Sequence, residues 1–193
     1  MEKRYFIIAI ALILLAGAVS KATATNTTTQ DTHCTFSGTF ADGVETHIDT
    51  NNDGISAGSD QGLINCNTGR AFFKEVPEYQ APVPATERCP EGSTLELHQQ
   101  QNHLVNTEEN GDQLFAEMKT NDATLCFNES DGTFSVTAHG TITGGTGHLK
   151  GASGTFESRA TGKYLVFGFK KGIFGGFGHF NGTSTGKLTL PNH

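Results

Sequence analysis

The sequence predicts an all-β protein of about eight antiparallel strands closed into a barrel. Three observations lead there. First, the stretch Thr133 to Phe156 reads TFSVTAHGTITGGTGHLKGASGTF, with Phe134, Val136, Ala138, Gly140 and Ile142 on one face and Thr133, Ser135, Thr137, His139 and Thr141 on the other. That period of two is what a half-buried antiparallel strand requires. Second, six of the chain's 24 glycines (Gly140, Gly144, Gly145, Gly147, Gly151 and Gly154) crowd into this one region. Such density marks a tight bend, or strands passing too close for a Cβ. Third, no segment beyond the first residues carries a convincing 3.6-residue period, so helices are not expected. Closing the strands into a barrel removes the exposed edges they would otherwise leave.

The same glycines superficially resemble a nucleotide-binding turn at Thr143-Gly144-Gly145-Thr146-Gly147. The next glycine, Gly151, comes one residue late, more strand follows in place of a helix, and no Gly-Lys-Ser/Thr is present. Glycine spacing outside its strand–helix context does not make a phosphate site.

Along the chain, Ala22 to Thr32 is Thr-rich and poor in apolar residues, a lead-in or loose edge strand. His33 to Ile48 alternates as a hairpin about Ala41-Asp42-Gly43. Gly62 to Glu75 reads as strand broken near Asn67-Thr68-Gly69. Val76 to Pro90 holds four of the five prolines and reads as an extended linker unable to pair along its length. Short strands are expected over Ser93–His98, Asp112–Lys119 and Asp122–Phe127. Longer ones follow at Gly154–Gly168, with Phe156, Ala160, Tyr164 and Val166 on one face, and at His179–Leu190.

The N-terminus has the organisation of a secretory signal: Glu2-Lys3-Arg4, then an uncharged apolar run from Tyr5 to Ala18, then Ala22-Thr23-Ala24 as a small-x-small cleavage site. The run is too short to cross about 30 Å of hydrocarbon, and no second apolar segment is long enough to span a membrane. The expected organisation is therefore a signal peptide at 1–24, a lead-in at 25–32 and a single domain at 33–190, in a secreted or periplasmic protein. The net charge of −7 becomes more negative once Lys3, Arg4 and Lys21 leave with the signal. An acidic surface repels nucleic acid and anionic membranes. Four cysteines (Cys34, Cys66, Cys89 and Cys126) in an oxidising compartment predict two disulfides. Three pairings are open, and Cys34–Cys66 with Cys89–Cys126 keeps each bridge within one half of the chain. Sequons occur at Asn26-Thr27-Thr28, Asn128-Glu129-Ser130 and Asn181-Gly182-Thr183.

The run ITGGTGHLKGASGTF (Ile142 to Phe156) is similar to the glycine turn of allene oxide cyclase-like and dirigent-like barrels. The wider layout resembles secreted, uncharacterised members of that superfamily: an early Asp-rich loop, Cys89-Pro90 before a strand, Leu125-Cys126-Phe127, the glycine turn and two long closing strands. The resemblance implies an eight-stranded barrel with a hydrophobic interior, often assembled as a trimer. It carries over no catalytic residue, since none of the enzymes' polar pocket positions can be matched here.

Two groups of residues stand out as candidate sites. Asp49-Thr50-Asn51-Asn52-Asp53-Gly54, continued to Asp60, fits a calcium loop with Asp49, Asn51, Asp53, the Ile55 carbonyl and Asp60 as oxygen ligands. Its departures are an apolar residue at the seventh position, Asp in place of a twelfth-position Glu, and strand-like flanks; ordinary turn chemistry explains the same residues. The aromatic run with Tyr164, Phe167, Phe169, Phe174 and Phe177 exceeds what one strand face needs, and offers a ligand cavity or a subunit contact about a Lys170-Lys171-Gly172 tip. The histidines lack metal spacing, no G-x-S-x-G occurs, and of the strand carboxylates Glu96, Glu117 and Glu157, strand parity turns Glu157 outward together with Arg159. Three functions remain. The first is a non-catalytic barrel that binds a small apolar ligand or self-associates. The second is an isomerase, cyclase or dirigent-like enzyme acting at the barrel mouth. The third is a calcium-stabilised structural or adhesive surface module.

Overall fold

The structure, a computed structural model, describes residues 26–42, 49–50, 52, 56–170 and 173–192. The expected signal peptide and Gly43 to Ile48, the later part of the expected hairpin, lie outside them. Ten strands follow in order: β1 (Thr27–Asp42), β2 (Ser59–Cys66), β3 (Gly69–Tyr79), β4 (Val83–Pro84), β5 (Leu95–Glu108), β6 (Gln113–Met118), β7 (Ala123–Phe127), β8 (Thr133–Gly145), β9 (Ser153–Lys170) and β10 (Ile173–Pro191). One turn of 3₁₀ helix (Gly147–Leu149) separates β8 from β9. All pairings are antiparallel, in the order β3-β2-β1-β10-β9-β8-β6-β5, and β5 pairs back onto β3 to complete a ring of eight. β6 and β7 share one position in that ring, β6 beside Asn102–Thr107 of β5 and β7 beside Leu95–His98. Both also pair with β8. The all-β barrel expected from the sequence is thus closed by hydrogen bonds. Among the described residues no helix is long and apolar enough to cross a membrane.

Phenylalanine and glycine meet across the inner wall. The register sets Phe36 opposite Gly182, Phe40 opposite Gly178 and Phe180 opposite Gly38 on the β1–β10 ladder. Gly62 faces Phe73 between β2 and β3, while Phe134 faces Gly162 and Gly140 faces Phe156 between β8 and β9. A Cβ at Gly140 would stand 2.2 Å from the Phe156 ring, and one at Gly162 would stand 2.4 Å from that of Phe134. Each ring therefore lies where the neighbouring strand has no side chain. The rings also meet edge to face, Phe40 with Tyr164 at 4.5 Å and with Phe134 at 5.3 Å between centroids. Burying each contributes about 1.5–3 kcal/mol, with about 0.5–1.5 kcal/mol more per edge-to-face pair.

The disulfides are Cys34–Cys66, across directly paired positions of β1 and β2, and Cys89–Cys126, which ties the segment after β4 to β7. They span 32 and 37 residues, worth about 3–4 kcal/mol each in the loop-entropy account. The glycine turn docks a neighbouring hairpin: His148 Nδ1 lies 2.6 Å from Asp112 Oδ2, and the Gln113 N–H donates to Thr146 Oγ1 at 2.8 Å. Gly147, at φ +55°, sits so close to the Asp112 carboxylate that a Cβ would overlap it.

Of the two readings of the Thr-rich segment, the edge strand is the one observed: Thr27 to His33 pair with β10 alone, their threonines suiting a half-exposed strand. Four expectations need correction. The hairpin expected about Ala41-Asp42-Gly43 does not turn there, because Ala41 and Asp42 continue β1, whose residues Cys34 to Ala41 pair with β2. Val76 to Pro90 is not an unpaired linker: Val76 to Tyr79 pair with β5, and Val83 and Pro84 pair with Glu96 and Leu95. Pro77 is tolerated because its N and O face β2 beyond the end of that ladder, where its carbonyl accepts from Gly58 N at 2.7 Å. The strand expected over Ser93–His98 runs from Leu95 to Glu108, with Gln99, Asn102 and Asn106 turned into the barrel. Val166 does not share the face of Tyr164: a bulge at Leu165, between the pairs Phe177↔Val166 and Gly178↔Tyr164, reverses the alternation and leaves Val166 exposed.

Replacing Gly178 by Ala would put a Cβ 2.1 Å from the Lys163 carbonyl and 2.6 Å from Phe40 Cζ. The expected cost is about 1–3 kcal/mol, read as a lower urea midpoint at unchanged slope. The exposed control Thr183→Ala should stay within about 0.5 kcal/mol. Equal midpoints for the two variants would contradict the packing described.

Candidate functional site

The inward stripe of β1 runs Phe36, Gly38, Phe40 and ends on Asp42. That of β2 begins with Asp60, and that of β3 runs Phe73, Glu75, Pro77, Tyr79. Register brings these ends together: Asp60 pairs with both Phe40 and Glu75. β9 adds Tyr164, whose hydroxyl donates to Asp42 Oδ2 at 2.5 Å, and β5 adds Asn102, whose Nδ2 donates to Glu75 Oε2 at 2.8 Å. The result is a polar wall at the end of the barrel where β1 stops and β2 starts. It borders a cavity of about 180 Å³ whose other walls include Phe36, Ile64, Leu104, Ile142, Phe156 and Leu188. A cavity of about 150 Å³ is enough to take up benzene, so this one accommodates a single ring or a short chain.

Among the described residues no lysine, arginine or histidine lines the cavity. Asp42, Asp60 and Glu75 are half-buried there, with no compensating cation among those residues. Loss of hydration raises Asp42 from 3.8 to about 6, against the opposing effect of the Tyr164 hydrogen bond. Asp60 is raised well above the usual range by burial and then by the charges of Glu75 and Asp42. Glu75 is raised by burial, partly offset by the Asn102 amide. Burial, followed by the neighbouring carboxylates, also pushes the phenols of Tyr79 and Tyr164 upward, so both remain donors. Asp60 Oδ1, Gln99 Oε1, Asn102 Oδ1 and Asn106 Oδ1 are buried without a hydrogen-bond partner among the described residues. The wall can accept hydrogen bonds, hold a proton near neutral pH and favour positive charge.

The sequence candidates are placed unevenly. Tyr164 is buried in the core and touches the cavity. Phe167 packs edge to face on Phe127 at 5.2 Å and is not a cavity residue. Phe177 is exposed beside Val166. Phe169 and Phe174 are paired in the β9–β10 hairpin, and their side chains lie outside what the structure describes. Of the calcium candidates, Asn51, Asp53 and Ile55 are outside the described residues, Asp49 is half-buried, and Asp60 belongs to the cavity wall. Among the described residues no three His, Cys, Asp or Glu side chains converge as a metal site. Glu96 does not face the cavity: sealed from solvent but thinly covered, it accepts from Thr86 Oγ1 at 2.6 Å and meets His98 at 3.1 Å, anchoring the segment after β4. Glu117 pairs with Lys119 on the surface, and Glu157 with Arg159, outward as expected. Glu78, fully buried, accepts from the Thr50 N–H and hydroxyl, both at 2.7 Å, and from Gln101 Nε2 at 2.9 Å, fastening the loop before β2.

Asp42, Glu75, Tyr79, Gln99 and Asn102 are absent from the sequence candidates. A signal existed for three of them, since Asp42, Glu75 and Tyr79 continue the parity of Phe36-Phe40 and Phe73. Gln99 is reached only through the irregularity at Gln100, where Glu78 pairs with Gln101 and Tyr79 with Gln99.

No protein-family model matches this chain, and no curated protein does either. Among solved structures, the pterocarpan synthase dirigent protein GePTS1 is similar at 14% identity over 86% of this chain and 87% of that chain, with a TM-score of 0.26. At that score the likeness adds nothing to the barrel topology that the hydrogen-bond ladders establish.

The raised carboxyls set the pH dependence of stability. Below about 3.8 Asp42 is protonated folded and unfolded, and its burial carries no charge penalty; above about 6 it is ionised in both states and the penalty is complete. Stability from this group therefore falls as pH rises between those values, and Asp60 and Glu75 act in the same direction. Glu96, lowered chiefly by the Thr86 hydroxyl, acts oppositely, and its contribution disappears as pH drops below 4.5. We expect Tm at pH 5 to exceed that at pH 7.5 by roughly 3–6 °C, and Asp42→Asn to shrink the difference by raising Tm at pH 7.5. A higher Tm at pH 7.5 in the native chain would contradict the arrangement.

Proposed function

We propose that this protein is an exported barrel whose interior binds a small molecule of about single-ring size. One observation carries the reading: the barrel centre holds a cavity of about 180 Å³ that is apolar on most walls and polar at one end. Binding sites combine apolar walls with a few polar groups that fix orientation, and a purely structural barrel has no need of either the space or the buried charges. Export is supported by the two disulfides, which persist in oxidising compartments, together with the signal-like N-terminus. A second reading, proton-transfer chemistry of an isomerase or cyclase type, is favoured by the Tyr164–Asp42 pair. A carboxyl held near pH 6 beside an apolar cavity is suited to exchange protons with a bound molecule.

Differential scanning fluorimetry with a panel of single-ring and short-chain compounds tests the proposal. A compound present at 100 times its dissociation constant should raise Tm by about 5–10 °C. Ala160 borders the cavity, and Ala160→Leu should abolish the shift while the apo protein still melts cooperatively. A shift of equal size in the filled variant would place binding elsewhere and refute the reading. Chemical conversion of a compound that binds would favour the second reading over the first.

A further inference from the structure

Asp42, Asp60 and Glu75 border the cavity beside Tyr79 and Tyr164, and among the described residues no basic side chain shares the lining. These carboxyls are half-buried, and such a cluster facing a largely apolar cavity is an incomplete electrostatic arrangement, stabilised either by protonation or by an incoming cation. An independent observation gives the direction. The four buried side-chain oxygens without a partner along this lining (Asp60 Oδ1, Gln99 Oε1, Asn102 Oδ1 and Asn106 Oδ1) are all acceptors. Gln99 and Asn102 are 1% and 3% exposed, so bulk water reaches neither. The Asn102 amide is oriented by its donation to Glu75, which leaves its oxygen as the unmatched atom. A wall whose unmet needs are all for donors suits a ligand that brings donors and positive charge together.

The remaining walls restrict what carries that charge. Phe40, Phe134, Phe180 and Tyr164 surround the cavity with aromatic faces and edges, which favour an organic cation over a hydrated one. A bare metal ion fits less well, because among the described residues the carboxyls do not converge into a metal-binding group. Resting on the small-molecule reading above, we propose that the cavity selects a small organic ammonium: a protonated amine on a single ring or short apolar body, its N–H groups directed at the Asp42, Asp60 and Glu75 wall and its apolar part among the phenylalanines. An ammonium brings up to three donors, which matches a wall of unpartnered acceptors. Arrival of the cation favours the ionised carboxyls, so binding should release protons.

Isothermal titration calorimetry of the full exported chain at pH 7, with benzylamine, benzyl alcohol and benzoate, separates the claims, since the three share one ring and differ in charge. Benzylamine should bind at least tenfold more tightly than benzyl alcohol, the margin expected of a charge-assisted hydrogen bond, and benzoate should not bind. The benzylamine heat should depend on the ionisation enthalpy of the buffer. Asp42→Asn and Glu75→Gln, tested separately so that either alone suffices, should remove the tenfold preference while changing benzyl alcohol affinity less than threefold. For the native chain, dropping to pH 5 should shrink the preference, because Asp42, Asp60 and Glu75 are then more fully protonated and Tyr79 and Tyr164 stay neutral throughout. Equal affinity for benzylamine and benzyl alcohol would overturn the selectivity and leave the cavity reading standing. Failure of all three compounds to bind the folded protein would overturn both.

Discussion

Phenylalanine packed over cross-strand glycine is the constraint from which the barrel interior follows. Rings at Phe36, Phe40, Phe73, Phe134, Phe156 and Phe180 each face a glycine of the adjoining strand. An antiparallel ladder normally opposes two side chains at each position. Here one partner is absent, and the ring of the other occupies its place. Large apolar area is thereby buried without tryptophan, and the rings can meet edge to face across the inside. The arrangement is also unforgiving, because a Cβ at any of these glycines would meet either a ring or a backbone carbonyl.

The same inner stripes, followed to one end, change character. β1 passes from Phe40 to Asp42, β2 enters at Asp60, and β3 passes from Phe73 to Glu75 and Tyr79. A closed ring forces these strand ends to face one another across a short distance, so the carboxyls and phenols share one poorly hydrated space. Closure, which removes the strand edges, is thus also what makes the site: the same residues on an open sheet would be solvated and ordinary. Folding bears the cost of the buried acidity, since it raises the carboxyls that must ionise near neutral pH.

Most of the barrel was legible in the chain because inward and outward residues alternate cleanly. The β8 stripe from Phe134 to Ile142 lies inside as its period demanded, and the β2–β3 break falls at Asn67-Thr68-Gly69, between Cys66 and Gly69. Both disulfides match the within-half pairing. Legibility failed where hydrophobicity and parity part company. β5 carries Gln99, Asn102 and Asn106 into the barrel, and a scan for apolar alternation stops at His98. The bulge at Leu165 exchanges faces in the middle of an apolar run, so Val166 loses the inward place that a strict period of two gives it, and Phe167, still exposed, reaches the Phe127 ring instead. Asp42 was hidden by its neighbours, because Ala41-Asp42-Gly43 reads as turn chemistry while the aspartate is also the last inward residue of β1.

The site depends on a barrel end that is poorly hydrated and, among the described residues, acidic without a cation, and carboxyl carbon NMR of the native chain followed from pH 3 to 8 addresses that most directly. The predicted result is an aspartate, assigned to Asp42 by its loss in Asp42→Asn, with a midpoint about 6. An Asp42 titrating at the ordinary value near 3.8 would mean a solvated barrel end, and would contradict the site and both functional readings built on it.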